Sequence, residues 1–179
     1  MKGFKRENRL LSLCGLNCGL CTMKLGGHCG GCGNGNQSCK IARCSLEHGG
    51  VEYCFQCPEY PCGKYQDIDK YDSFITHRNQ RADLERARSM GLEEYNRVQE
   101  EKARILDYLL TTCNDGRRKS LFCTAVNLLE LSDLNEAEGL LRDVEMSRAS
   151  LKERGAYAAE LLNGMAESKG VSLRLRRRK

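Results

Sequence analysis

The chain has 179 residues, 40% of them hydrophobic, with twelve cysteines, no tryptophan and a formal charge of +5. Five of the basic side chains fall in the last six residues, so the rest is balanced and lacks the broad basic face of a nucleic-acid-binding fold. No stretch approaches the ~18 apolar residues of a membrane span, so no membrane association is expected.

Residues Met1 to Arg9 read as a mobile polar leader. The four-residue apolar run that follows, ending at Leu13, is shorter than the roughly 7–15 residues of a secretory h-region. Leu13 is also bulky where a lipoprotein signal needs a small residue. The expected location is therefore cytoplasmic, a reducing compartment in which metals rather than disulfides pair thiols.

Residues 10–66 form a cysteine-rich region holding Cys14, Cys18, Cys21, Cys29, Cys32, Cys39, Cys44, Cys54, Cys57 and Cys62. Three of the gaps are C-x2-C, the spacing that lets two thiolates from one tight turn meet one metal. Large apolar side chains are few there (Leu16, Leu20, Leu25, Ile41, Leu46, Val51 and Phe55 are most of them), so a metal is expected to supply the stability that burial cannot. The simplest partition sets Cys18 and Cys21 with Cys29 and Cys32, and Cys39 and Cys44 with Cys54 and Cys57, but the sequence does not fix the pairing, since sites can interleave and Cys14 or Cys62 can displace a neighbour. In that partition Cys14 and Cys62 are left over as candidate reactive thiolates. Two zinc ions are the expected cofactors; three zinc ions, or an iron–sulfur cluster, are the alternatives. His28 and His48 read as solvated loop residues, and His77 as a surface residue. Cys14, Cys18 and Cys21 share the spacing of radical S-adenosylmethionine enzymes, but the βα alternation of their barrel is absent. Cys57-Pro58 matches the end of a ferredoxin motif without the C-x2-C-x2-C run that should precede it.

From residue 67 the pattern turns helical. Asp72 is read as the cap of a helix running to about Met90, stopped by Gly91. The next helix, about Leu92 to Cys113, has a core-facing side made of Val98, Lys102, Ile105 and Leu109 beside Leu106, Leu110 and Cys113. Helices follow over Ser120 to Leu131, from Asp133 through Leu141 and Val144, and from the Ser150–Glu153 capping box to Gly170. Alternation at Val171, Leu173 and Leu175 suggests a short final strand. Cys113 and Cys123 lie on apolar helix faces and read as buried, inert thiols. Arg117, Arg118 and Lys119 at a helix N-terminus form a candidate anion site, unless they pair with neighbouring glutamates. The tail from Arg174 to Lys179 could contact nucleic acid or an acidic partner.

The Cys14-Gly15-Leu16-Asn17-Cys18 motif with Cys21, the Cys29-Gly30-Gly31-Cys32 knuckle, Cys39 with Ile41 to Cys44, and the stretch from Cys54 through Cys57-Pro58-Glu59-Tyr60-Pro61 to Cys62 resemble the prokaryotic family called domain of unknown function 3795. Residues 115–123 and 170–179 extend the likeness over nearly the whole chain. The resemblance implies a small cysteine-rich, zinc-binding protein and no particular activity; Gly26 to His28 are an insert, and no ligand role carries over to His28. The expected fold is mainly α: a small, irregular zinc-knuckle-like region packed on a helical body (residues 67–179). The expected function is a non-enzymatic, metal-stabilised interaction module, with a redox, metal-transfer or iron–sulfur protein as the alternative.

Overall fold

A computed structural model describes residues 1–142 and 148–178; Val144, the far end of one expected helix, lies outside the described residues. The fold is mainly helical: α1 (Thr22–Leu25) and α2 (Lys40–Glu47) lie in the cysteine-rich head, and α3 (Gln80–Met90), α4 (Leu92–Thr112), α5 (Lys119–Leu128), α6 (Leu131–Leu141) and α7 (Leu151–Ser168) make the body. There is no strand among the described residues. None of their helices is long and apolar enough to cross a membrane.

The body is organised on α4. Its apolar rows place Ile105, Leu106, Leu109 and Cys113 against Phe122, Val126, Leu134, Leu141, Ala158 and Leu162, all buried. Each large aliphatic side chain sealed in this way contributes about 1.5–3 kcal/mol. Lys102, on the same face, is buried too: its Nζ donates to the Leu129 carbonyl at 2.7 Å, answering a carbonyl left open where α5 ends. Gly91, at φ +89°, closes α3 and opens α4, and Glu93 and Glu94 in the first turn of α4 suit its dipole. Ser150 Oγ accepts from the Glu153 amide while the Glu153 carboxylate accepts from the Ser150 amide, the reciprocal cap that starts α7.

Three expectations are corrected. First, the helix ending at Met90 begins at Gln80, not after Asp72. Asp72 instead accepts bonds from the His77 and Arg176 amides at 2.8 and 2.7 Å, and that ties residues 72–77 into a turn under the C-terminal segment. Second, residues 171–178 follow α7 without entering a strand. Leu173 is buried in the main core, and the Asp72 amide bonds to the Arg176 carbonyl at 2.9 Å, so the segment is held by single anchors rather than by a ladder. Third, the leader is built into the head. Phe4 is buried with Leu13 and Ala42, the chain's amino group donates to the Gly33 carbonyl at 2.7 Å, and Asn8 Nδ2 donates to Tyr53 and to Asn96 of α4.

The head has more apolar anchorage than its composition suggests, from different residues. Leu20 belongs to the main core, and Leu11, Tyr53 and Tyr65 pack with Leu84, Ala87 and Tyr95 of α3 and α4. Leu25 and Leu46 are exposed. Burial therefore seats the head on the body, and the thiols are arranged within a frame that is already docked.

Candidate metal centre

The first turn of the head, residues 12–18, positions two cysteines. The Ser12 amide and hydroxyl close this turn with Leu16, and Gly15 at φ +93° lets it press against α3. A Cβ at Gly15 would stand 2.1 Å from the Gln80 carbonyl oxygen, so no other residue fits there. Asn17 turns inward beside Asp83 and Tyr95, which leaves Cys14 and Cys18 on the head side.

Cys14, Cys18, Cys32 and Cys39 form one neighbourhood. Cys14 lies near enough to Cys39, and Cys18 to both Cys14 and Cys32, for a charge on one thiol to raise the pKa of the other. Cys32 is raised in the same way by Cys14 and Cys39. Burial is the larger cause in each case: it pushes Cys14 up, Cys18 to about 12 and Cys32 to about 11. Hydrogen-bond donors aim at these sulfurs. Ser12 Oγ is 3.3 Å from Cys14 Sγ, the Leu16 and Leu13 amides serve Cys14 and Cys32, and the Ala42 amide donates to Cys39 Sγ at 3.5 Å from the first turn of α2. Buried sulfurs ringed by donors suit thiolates whose charge a cation completes.

The second neighbourhood is Cys44, Cys54, Cys57 and Cys62. All four line one small cavity of about 30 Å³, together with Ile41, Tyr60, Tyr65 and Lys64. Burial pushes Cys54 up to about 12, with smaller contributions from Cys14, Cys62 and Cys44, while the Tyr65 hydroxyl bonds its sulfur. Lys64 is held above its ordinary value by its bond to Cys44. The same Tyr65 hydroxyl lies 3.3 Å from the Cys14 carbonyl oxygen, and the Cys54 amide donates to the Leu13 carbonyl at 3.0 Å, so the two neighbourhoods abut.

This grouping differs from the simplest partition by sequence order. Cys14 and Cys62, left over in that scheme, each join a set. Cys29 is the one set apart, while Cys21 lies between Cys18 and the body. Cys21 is buried towards the body, where its charge acts on Cys123 of α5. Cys29 Sγ is folded into its own knuckle, accepting from the Gly31 amide at 3.4 Å and packed against Gly35. His28 is exposed.

Four thiolates on one zinc at about 2.3 Å stand about 3.8 Å apart. Among the described residues, only Cys44, Glu47 and His48 bring three such ligand atoms mutually within 4.8 Å. That convergence has a simpler cause. His48 Nδ1 is 2.9 Å from the Cys44 carbonyl oxygen and Nε2 is 3.3 Å from Glu59, and these two acceptors hold the imidazole above its ordinary pKa as a donor at both nitrogens. The thiols of each four-cysteine set are thus neighbours rather than in mutual contact.

Outside the head, Cys113 and Cys123 lie in the main core, and burial raises both. The turn leading into α5 is closed by its own side chains, and α5 itself starts at Lys119 without a side-chain cap. Asn114 Oδ1 accepts from the Gly116 and Arg118 amides, Asp115 accepts from the Arg117 amide, and the Arg118 guanidinium pairs with Asp115. Of the three expected anion-site cations, Arg118 is paired with Asp115. The basic tail is also engaged: Arg176 pairs with Asp72 and the Asp69 carbonyl, Arg177 donates to the Ser73 carbonyl, and Arg178 lies over Tyr71. The sequence reading passed over Arg6, Lys64 and Tyr65, which touch or face the thiols; nothing in their spacing marks them.

The chain matches no protein-family model, no curated protein and no solved structure.

Proposed function

We propose that this chain is a metalloprotein whose head carries two adjoining four-thiolate centres, Cys14, Cys18, Cys32 and Cys39 in one and Cys44, Cys54, Cys57 and Cys62 in the other. The observation that carries the reading is the enclosure of four cysteines around one cavity. Four half-buried thiols facing a common space have no partner there, and a metal supplies one. Cysteines ringing a space, rather than touching, suit an iron–sulfur cluster, whose irons sit at separate corners and take one thiolate each. Adjoining centres of that kind would give the head a redox role, with electrons passing between the two sets across Cys14 and Cys54.

A zinc head acting as an interaction module is the second reading, favoured by the resemblance to the domain of unknown function 3795 family. It requires the thiols of each set to draw together. Anaerobic purification followed by iron, acid-labile sulfide and zinc analysis with an absorption spectrum separates the two. Iron with equimolar sulfide and a brown chromophore is expected. A colourless protein with two zinc ions would install the zinc reading, and a protein folded without either metal would remove both.

A further inference from the structure

A cleft of about 360 Å³ opens over the first proposed centre, with Cys18 and Cys32 in its wall. Arg6, Arg9 and Lys24 line it together with the Asn34 side chain, and none of the lining residues is acidic. Arg6 is the unusual member. Its side chain is only 4% exposed, and its Nε and Nη1 hydrogens have no acceptor among the described residues. Its remaining nitrogen donates to the Leu11 carbonyl at 2.8 Å and lies 3.4 Å from Glu52. Glu52 balances part of the guanidinium's charge, and the two unanswered N–H groups remain buried donors without a partner beside the cleft. Lys24 is anchored through its Nζ on the Arg9 carbonyl, which fixes a second cation along the cleft, and the exposed Arg9 adds a third.

We propose that this cleft binds a small oxyanion, of the phosphoryl or carboxylate class, beside the first thiolate set. Guanidinium groups bind such oxygens through paired donors, and three cations around one concavity favour a multiply charged ligand. The site stands independently of which metal, if any, the neighbouring thiols hold.

The test is calorimetric titration of the full chain, as purified, with inorganic phosphate and separately with citrate, metal content being measured on each sample. Arg9→Gln and Lys24→Gln are the variants of choice, because neither removes a buried side chain; Arg6→Lys serves as a third. Saturable binding of one anion, weakened about tenfold by each of the first two variants, is the expected result, in line with the loss of one charge-assisted hydrogen bond. The anion that saturates decides between phosphoryl and carboxylate chemistry. Absence of saturation with both anions, or unchanged affinity in both variants, overturns the site. If the variants lose metal while the wild type binds neither anion, the cations balance the thiolate charge instead, and the proposal fails while the metal reading survives.

Discussion

Asn17 of the head donates through Nδ2 to Asp83 Oδ2 of α3 at 2.8 Å, inside a seam where both side chains are buried. The Tyr95 hydroxyl of α4 completes the arrangement by donating to Asn17 Oδ1 at 2.9 Å. One side chain between two cysteines thus fixes the cysteine turn to two helices of the body. Asn17→Ala strands a buried carboxyl and a buried hydroxyl, which should cost about 2–4 kcal/mol. Chemical denaturation at equal metal content checks this; a loss below about 0.5 kcal/mol, the ordinary surface value, would show that the seam is held by packing alone.

The same carboxyl gives a pH signature. Burial pushes the pKa of Asp83 from 3.8 to about 6, with Lys102 the largest opposing influence. Below pH 4 folded and unfolded chains are both protonated at this site. Between about pH 4 and 6 the unfolded chain ionises first, so the native state loses stability as pH rises; above 6 the full cost is present. A shift of this size corresponds to about 3 kcal/mol. Asp83→Asn should therefore gain on the wild type steadily from pH 4 to 6 and hold a constant lead above that. A difference that is flat across this window would place the carboxyl's titration elsewhere.

Asp72 makes a second long-range tie, here to the C-terminus. Burial works to raise its pKa, but the Arg176 and His77 amides and the guanidiniums of Arg176 and Arg78 hold it below the ordinary carboxylate range. Arg78 also donates to the Ser172 and Arg174 carbonyls. Asp72→Ala leaves Arg78, only 18% exposed at its side chain, without its counter-charge. The expected cost is about 2–4 kcal/mol, less than for a fully buried pair because both guanidiniums reach water. Deleting residues 174–179 should destabilise in the same direction. If truncation left the thermal midpoint unmoved while abolishing salt-dependent retention on nucleic acid, the tail would be a binding arm and not a strap.

The helices of the body were legible because each rested on a local signal. The period of α4, the Ser150 cap and the Gly91 stop need no partner to be read. Asp72 misled because an aspartate before a helical pattern looks the same whether it caps the next turn or binds a chain end about a hundred residues away. The cysteine grouping was less legible for a related reason. C-x2-C spacing identifies thiols that can share a metal, but it does not show which way each turn faces. Gly15 and Asn17 turn the first loop so that Cys14 and Cys18 face Cys32, while Cys21 follows Leu20 towards the body. Arg6 was invisible because a leader with four basic residues gives no sign that one of them is buried.

The regrouped cysteines predict an asymmetric mutational pattern. In the sequence-order partition, Cys21 and Cys29 are ligands, whereas Cys14 and Cys62 are spare. In the proposed centres the roles are exchanged. Cys14→Ser and Cys62→Ser should each remove about half of the bound metal, one centre being lost and the other kept. Cys21→Ala and Cys29→Ala should retain the wild-type content. Cys21→Ala makes only a small cavity beside α5, at a cost of about 1 kcal/mol, so loss of metal could not be blamed on unfolding. Metal per chain, measured alongside the far-ultraviolet helical signal, is the readout. Full content in Cys14→Ser and Cys62→Ser with depletion in Cys21→Ala and Cys29→Ala would restore the sequence-order pairing and dismantle both proposed centres.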